Sequence, residues 1–569
     1  MRLSSIQSRP YVRTISNFRT NLNTGMATPG LAPLSHDTVS FKGRDSELLS
    51  AEDAKTAKAK YETSTSGYRE IYGDKFNDKL VNTMTNAVAK YAKDNDIDVM
   101  GVGGDTRKAT VNYIPQIVNT LLDKGIDVKV PVMKEEEGFS TPAASPVLAV
   151  YGKEHDVPLS VLMTASHNPW TYGGYNLLTS EGAVATDVVT RPIAENIVKV
   201  AESGKPVENS TKRGELTYFD PYKEYNEYID SKKLINYDLI KSAGIEIFYD
   251  GLEGTGNYYF PWMMNEHGVS IAKTLDTHVE GPEPNAKNLA NLAEEVKKSD
   301  AKLKIGLATD GDSDRFGLVD ENGNYINSND VIMLVAYHMI KNEGMNKGTI
   351  IRNCATSKRI DVLADYFNKK DPEKYDIKVE ETPVGFKYLG DKMVELEGSE
   401  HEVIVAGEES GGLTIRNHIP EKDGFVAISK ILELVAAEKK PVGQILAELK
   451  EEAGTGYTSV AKKIGFANEE AKEAGVKHFD KYLTGEVDNV AGYKIDFEKT
   501  KAAAEHIKEY KKQGDGTKLY LENGTAVLIR KSGTEPIVRL TIDSADDTVT
   551  ANLQKALLAE MKEVGGVEK

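Results

Sequence analysis

A single cysteine, Cys354, stands in the whole chain. An intramolecular disulfide is therefore impossible, a cysteine metal cluster is excluded, and a reducing compartment is the natural setting. Long apolar runs are missing too: no stretch of about twenty apolar residues occurs, so no segment is suited to span a bilayer. Positive charge is in deficit, with 71 Lys and Arg against 88 Asp and Glu, a net charge of −17 and a pI near 5.3. Such a chain lacks the basic surface that displaces counterions from nucleic acid. A phosphorylated ligand remains within its reach, because a few local Arg and Lys reverse the field inside one cleft. Acidic residues are absent before Asp37, where Arg2, Arg9, Arg13 and Arg19 stand among Ser, Thr and Asn. That composition suits a disordered tail or an organelle transit peptide, and residues 1–37 are set apart from the fold. A cytoplasmic location is expected, unless this basic segment directs import into an organelle.

What is present is an ordinary globular composition, 40% hydrophobic and 28% charged. At 569 residues the chain is too long for one core, and size alone predicts roughly three to five domains. From about residue 80, helical and strand patterns alternate. An amphipathic stretch at 78–95 precedes β-branched IDVMGVGG (97–104), and helical VNYIPQIVNTLLDKG (111–125) precedes IDVKVPVM (126–133). VPLSVLM (157–163) then runs straight into TASHNPW. The rhythm restarts at GIEIFYD (244–250), followed by the Gly-rich turn 251–257 and the strand-like KLKIGLATD (302–310), and again at GTIIRN (348–353), HEVIVAGEESGG (401–412) and helical 425–440. Beyond Gly456 the β content rises, and Asn523-Gly524 sits where a tight hairpin turn would go. The pattern predicts an α/β protein: three α/β domains with mixed sheets at 38–232, 233–344 and 345–455, plus a C-terminal α+β domain at 456–569. No repeat is visible in the sequence.

Four short stretches carry chemistry. Thr164-Ala165-Ser166-His167-Asn168-Pro169 follows a buried strand, and loops at the carboxyl ends of strands are where open α/β sheets bind ligands. A serine beside a histidine there suits a nucleophile or phosphoryl carrier; a plain Ser/Asn/Pro turn is the blander reading. It is not a nucleophile elbow, because G-x-S-x-G is absent. In Asp310-Gly311-Asp312-Ser313-Asp314-Arg315, three carboxylates at alternate positions can converge on one hard cation. Glu321 even falls at the twelfth position of an EF-hand loop, but Arg315 stands where that loop needs Gly, and the flanks look like strands. In Gly407-Glu408-Glu409-Ser410-Gly411-Gly412, adjacent carboxylates beside glycines could accept hydrogen bonds from sugar hydroxyls, or merely form an acidic turn. Arg530-Lys531-Ser532-Gly533-Thr534-Glu535-Pro536, with Arg539 just beyond, offers forked donors and loop N–H groups to a phosphate, or is an ordinary hairpin connection.

Together and in this order, the four stretches resemble the α-D-phosphohexomutase superfamily, which carries T-A-S-H-N-P, D-G-D-x-D-R, G-E-x-S-G and R-x-S-G-T-E-P, one per domain. Thr65-Ser66-Gly67-Tyr68-Arg69 and Gly104-Asp105-Thr106-Arg107 are similar to further segments of its first domain. The resemblance spans about residues 60 to 545 and implies four domains around a central cleft. It implies that Ser166 is carried as phosphoserine and that one Mg²⁺ is bound by Asp310, Asp312, Asp314 and a Ser166 phosphate oxygen. Ser166 would pass its phosphoryl group to a hexose monophosphate, the bound bisphosphate would reorient, and its other phosphate would return to the serine. By the same resemblance Glu408 and Ser410 grip sugar hydroxyls. Arg530, Ser532, Gly533, Thr534 and Arg539 hold the non-reacting phosphate, Arg69 and Arg315 sit near the transferring one, and His167 and Lys387 are further catalytic candidates. Glu408-Glu409-Ser410 and Val384-Gly385-Phe386-Lys387 look like the phosphoglucomutase branches. The expected substrates are therefore glucose 1-phosphate and glucose 6-phosphate, with glucose 1,6-bisphosphate as activator and intermediate.

Two departures stand out. Family members usually carry a lysine ten residues after the phosphoserine; here that place is Asn176, and an amide cannot transfer protons at neutral pH. In the first loop Thr63-Ser64 replace Phe-Gly and Glu70 replaces Gly. Asn176 keeps open a catalytically weak sugar-phosphate-binding relative. The same motifs would also suit a phosphomannomutase, a mutase of another hexose phosphate, or a metal-dependent phosphatase. Oligomeric state is open between monomer and dimer, and the expected ligand is a hexose phosphate, with neither nucleic acid nor membrane as partner.

Overall fold

The computed structural model describes residues 47–64, 67–132, 142–510, 516–532 and 536–569. The N-terminal tail, Thr65-Ser66 and Gly533-Thr534-Glu535 lie outside them.

Four sheets follow one another along the chain. The first holds β1 (Tyr68–Ile71), β2 (Val99–Gly104), β3 (Asp127–Pro131), β4 (Leu159–Met163), β5 (Tyr172–Thr179) and β6 (Leu216–Phe219), in the order β1-β5-β4-β2-β3-β6. The second holds β7 (Glu246–Asp250), β8 (Lys273–Leu275), β9 (Lys304–Thr309), β10 (Phe316–Val319) and β11 (Tyr325–Ile326), ordered β11-β10-β9-β7-β8. The third holds β12 (Lys347–Asn353), β13 (Asp376–Thr382), β14 (Val403–Glu408) and β15 (Gly412–Ile415), ordered β13-β12-β14-β15.

Beneath dissimilar sequences, one arrangement recurs three times. Each sheet contains a return strand, a strand that ends in a chemical motif, and two further parallel strands: β5-β4-β2-β3, β10-β9-β7-β8 and β15-β14-β12-β13. The return strand is antiparallel each time, and the other pairings within each set of four are parallel. The repeat that the sequence conceals is thus topological. It arises because buried parallel strands require only apolar residues, which many sequences satisfy.

The fourth sheet is built differently. β16 (Thr458–Gly465), β19 (Thr517–Tyr520), β20 (Ala526–Lys531), β21 (Ile537–Ser544) and β22 (Val567–Glu568) run antiparallel throughout, ordered β19-β20-β21-β16-β22, beside a small ribbon of β17 (Asn489–Val490) and β18 (Tyr493–Lys494). β19 and β20 form the hairpin around Asn523-Gly524, where Gly524 takes the positive φ (85°) that such a turn requires.

One core links the first three units, running from Val147 and Tyr225 through Ile247 and Phe316 to Ile350 and Leu449, and the first unit has a further core of its own around Leu80, Ile117, Val128 and Ile197. The axis of the shared core is two helices buried almost all round, Ser328–Lys341 and Gly424–Glu438, which pack on each other. Asn327 caps the first through the Asp330 N–H (3.1 Å), and Asp423 caps the second through the N–H groups of Phe425 and Val426 (2.8 and 3.1 Å). The fourth unit has a separate core, in which Ile464, Ile529, Val538 and Leu540 meet Leu553 and Leu557. Its other sheet face docks on the third unit: Leu528 packs with Cys354 and Ala355, Lys518 Nζ donates to Glu381 at 2.6 Å, and Asp543 accepts from Ser357 Oγ at 2.7 Å.

Candidate active site

Ser166 stands in the loop after β4, beyond Thr164 and Ala165, in the left-handed conformation (φ 49°), which costs a non-glycine residue about 1–3 kcal/mol. A buried pair holds it there. Arg107 donates to the carbonyl oxygens of Ser166, Asn168 (2.7 Å) and Pro169 (2.6 Å), and its Nε to Asp105 at 2.9 Å. Asp105 also accepts from Thr164 Oγ1 at 2.7 Å, and that hydroxyl accepts the Ser166 N–H at 2.8 Å. Asp105 and Arg107 of the G-D-T-R segment therefore fix the serine loop, a role the sequence did not reveal.

The serine meets the acidic loop across the unit boundary. Ser166 Oγ donates to Asp310 Oδ2 at 2.8 Å, a contact between residues 144 apart. Gly311 permits the approach, since a Cβ there would lie 2.8 Å from the Ser166 carbonyl oxygen. Asp310, Asp312 and Asp314 are buried, with one oxygen of each within 4.8 Å of the others. Burial and the neighbouring Asp314 push Asp310 up to about 6, and burial with Asp314 and Asp310 raises Asp312 well above its ordinary value. Asp312 Oδ1 and Asp314 Oδ1 are buried without a hydrogen-bond donor. Unpartnered buried carboxylate oxygens converging on one point are the donor set of a hard divalent cation, so these residues fit Mg²⁺.

His167 Nδ1 lies 3.3 Å from Ser166 Oγ. The serine's one proton goes to Asp310, so this contact requires Nδ1–H to donate to Oγ. Burial, then the charges of Arg315, Arg69, Lys463 and Arg107, lowers the imidazole pKa and keeps it neutral. Arg69 donates to Asn168 Oδ1 at 3.0 Å; burial and the like charges of Arg315 and Arg107 bring it down to about 10, so it stays a cation. Arg315 donates its backbone N–H to Asp310 at 3.1 Å and reaches the Ser410 carbonyl oxygen at 3.4 Å, which ties the second unit to the third.

In the third unit Ser410 Oγ donates to Glu408 at 2.5 Å, and Asn353 Nδ2 donates to the other Glu408 oxygen at 3.3 Å. Burial and Glu409 raise the Glu408 pKa. Lys422, a residue the motifs did not single out, is buried over the Phe386 ring with its ammonium 3.2 Å from Asp314 and paired with Glu421. Burial opposes its charge, but Asp314, Glu421 and Glu408 outweigh it and raise its pKa. Lys387 is paired with Asp187 of the first unit at 2.7 Å, not with the serine. Asn176 is buried under the serine loop, where its amide donates to the Thr164 carbonyl oxygen at 3.0 Å. Gly67 leaves it room, for a Cβ there would meet Asn176 Oδ1 at 2.0 Å.

In the fourth unit Arg530 and Arg539 stand opposite one another on β20 and β21, and Lys463 of β16 faces Arg539. Ser532 is buried at the end of the strand, and Gly533 and Thr534 lie outside the described residues. Lys463, too, is absent from the motifs. No short string carries it, because its neighbours are set by strand register.

Models of the phosphoglucomutase/phosphomannomutase family match in succession: α/β/α domain I at residues 60–203, domain II at 223–323, domain III at 327–452 and the C-terminal domain at 493–560. They begin beyond the basic tail and lend no support to organelle import. Among the described residues no helix is long and apolar enough to cross a membrane. A phosphoglucomutase/phosphomannomutase of Thermococcus kodakarensis is 28% identical over 445 residues, 77% of this chain and 84% of its own. A phosphoglucosamine mutase of Caldicellulosiruptor bescii is 25% identical over 406 residues, 71% of this chain and 78% of its own. Parafusin, a phosphoglucomutase from Paramecium solved in an open form, superposes with a TM-score of 0.69 at 20% identity, covering 88% of this chain and 95% of that one. A family protein from Burkholderia thailandensis gives 0.65 at 18% identity, over 89% and 99%. At such identities the two structures speak to the fold alone.

Proposed function

The chain belongs to the phosphoglucomutase/phosphomannomutase family, and from that premise we propose that it interconverts glucose 1-phosphate and glucose 6-phosphate through a phosphoserine at Ser166. The observation that carries the reading is the 2.8 Å contact of Ser166 Oγ with Asp310, which joins a hydroxyl carrier to a buried carboxylate trio.

Asp310, Asp312 and Asp314, with an oxygen of the Ser166 phosphate, would hold Mg²⁺, which neutralises charge on the transferring phosphoryl group when bound. The chain's own groups do the rest. Arg69 and Arg315 flank the serine and offset phosphoryl charge. Glu408 and Ser410 orient the sugar hydroxyls, and Arg530, Ser532 and Arg539 bind the phosphate that is not reacting. As the phosphorus leaves Ser166 Oγ for a sugar hydroxyl, that hydroxyl loses a proton and the serine oxygen needs one. Neutral His167 suits both ends: Nδ1–H gives its proton to Oγ while Nε2 accepts the sugar's. The bound glucose 1,6-bisphosphate then reorients, and the reverse sequence returns its other phosphate to the serine without net hydrolysis. His167 thus occupies the acid–base role that Asn176 leaves vacant, and the Asp187 pair leaves Lys387 out of it.

Glucose is preferred over other hexoses on Glu408-Glu409-Ser410 and Val384-Gly385-Phe386-Lys387; the phosphoglucosamine mutase relative favours the competing substrate. Purified protein supplied with Mg²⁺ and a trace of the matching bisphosphate should turn over glucose 1-phosphate faster than the mannose or glucosamine 1-phosphates. A higher rate on glucosamine 1-phosphate reassigns the substrate, and release of free phosphate would replace the mutase with a phosphatase. Ser166→Ala should lower turnover by about 10⁴-fold or more; a variant that still turns over at the wild-type rate rules out Ser166 as the carrier.

A further inference from the structure

Lys463 lies outside every motif, yet register places it in a row of three cations. On the antiparallel fourth sheet, Lys463 of β16 pairs with Arg539 of β21, and Arg539 pairs with Arg530 of β20. Residues directly opposite each other project from the same face with Cβ atoms about 5 Å apart, and like charges so placed destabilise a sheet. The same-face positions two residues away along these three strands are Ala461 and Gly465, Ile537 and Thr541, and Leu528 and Ser532, none of them charged, and on the other side of β16 Lys569 donates its backbone N–H to the Lys463 carbonyl oxygen at 3.0 Å. Three cations aligned in this way set up a local positive field that draws an anion to a chain of net negative charge.

The row lies on the sheet face turned to the third unit. The opposite sheet face, with Ile464, Val538, Leu540 and Ile529, is buried in the unit's own core. The row's face carries Leu528, Lys518 and Asp543, which contact Ala355, Glu381 and Ser357 of the third unit. Lys463 is exposed, and its charge is one of the four felt at His167, beside Ser166 in the first unit. Its charge therefore reaches the serine loop of the first unit from the fourth.

We propose that Lys463 is a third phosphate-binding cation, which with Arg539 and Arg530 grips the non-reacting phosphate of the bound sugar. This rests on the hexose-phosphate reading given above. The two outer members of the row are about 10 Å apart at Cβ, a gap that long side chains close from both ends with Arg539 between them. The two guanidinium groups supply forked donors, and Lys463 supplies a mobile point charge that follows the phosphate as the bisphosphate turns over.

The test is steady-state kinetics of the full-length wild type, Lys463→Gln and Lys463→Arg on hexose 1-phosphate, paired with melting curves with and without inorganic phosphate. Lys463→Gln should raise KM about 10-fold with kcat within about twofold, and Lys463→Arg should restore most of the difference. Without phosphate the melting temperature of Lys463→Gln should equal or exceed that of the wild type, and added phosphate should raise it less. An unchanged KM together with an unchanged phosphate response overturns the proposal while normal turnover leaves the mutase reading standing. A wild type that turns over no hexose phosphate, yet responds to phosphate through Lys463, overturns the mutase reading and keeps the anion site. Absence of both turnover and phosphate response overturns both.

Discussion

In the first three units the reactive groups sit on loops leaving the carboxyl end of a parallel strand, whereas in the fourth they stand on the strands themselves. Ser166, Asp310 and Glu408 each end or follow a strand whose antiparallel return strand closes the motif. Arg530, Arg539 and Lys463 instead form a row across an antiparallel sheet. The contrast extends to charge. The second unit crowds three carboxylates into one loop, and the fourth aligns three cations across neighbouring strands. A loop buried at a unit junction can fix a nucleophile to fractions of an ångström. A sheet face whose far end docks on the third unit can present a row of cations to a phosphate from strands held by their own core.

The sharpest way to break that division is to strike each pole and compare kcat with KM. At the acidic pole, Asp312→Asn should lower kcat about 10³-fold at saturating Mg²⁺, while the melting temperature measured without Mg²⁺ holds or rises, because a buried carboxylate crowded against two others is relieved. A variant that melts far lower with activity intact would make the trio structural. At the cationic pole, Arg530→Gln should act on KM, raising it about 10- to 100-fold, with kcat changed only a few-fold. Loss of kcat with KM unmoved would place Arg530 with the reacting groups and erase the contrast.

What could be read in advance follows the same divide. Motifs held within one loop were legible, because contiguous residues meet whatever the rest of the chain does: the Asp310–Asp314 trio is brought together by alternate spacing alone. Strands such as Ile350-Ile351 and Val403–Ala406 were legible from apolar β-branched runs. Contacts made by register or by loop crossing were not. Lys463 and Arg539 are far apart in sequence, Lys422 reaches Asp314 from a different unit, and nothing local marks Arg107 as the clamp on Ser166. The threefold strand order was hidden for a related reason, since topology leaves no trace in composition. Asn176 shows the limit of reading a position by its family counterpart. It stands where a proton-transferring lysine is usual, but here it braces the Thr164 carbonyl oxygen beneath the serine. Asn176→Ala should therefore lower kcat about 10-fold through misplacement of Ser166, with KM unchanged and the shape of the pH profile retained. An altered pH profile would return it to the acid–base chemistry.

The smallest expected effect concerns stability, and it separates the shared core from the independent one. His338 is buried in the helix Ser328–Lys341, with Nε2 3.3 Å from Glu433 and 3.3 Å from Glu343. Lys430 Nζ bridges the same carboxylates at 2.7 Å (Glu343) and 3.1 Å (Glu433), Asn342 approaches Nδ1 at 3.2 Å, and the Asn236 N–H donates to Glu433 at 3.0 Å. The His338, Glu343 and Glu433 ligand atoms also have the spacing of a metal site, but the Lys430 ammonium already supplies the cation they need. Burial alone would lower the imidazole pKa; the hydrogen bonds and charges of the two glutamates outweigh it, so the folded value lies above the ordinary 6.5. A raised histidine contributes stability that is complete below its unfolded pKa and is lost as pH rises through its folded one. This cluster lies between the long central helices, outside the fourth unit's core, and among the described residues the apolar contact between the two units is a small seam around Cys354 and Leu528. Calorimetry should therefore resolve two transitions, and raising the pH from about 6 to about 9 should lower the one belonging to the first three units while leaving the fourth unit's in place. His338→Gln should flatten that pH dependence. A single transition, or two that fall together with pH, would mean that the fourth unit melts with the rest and is not the independent clamp its separate core describes.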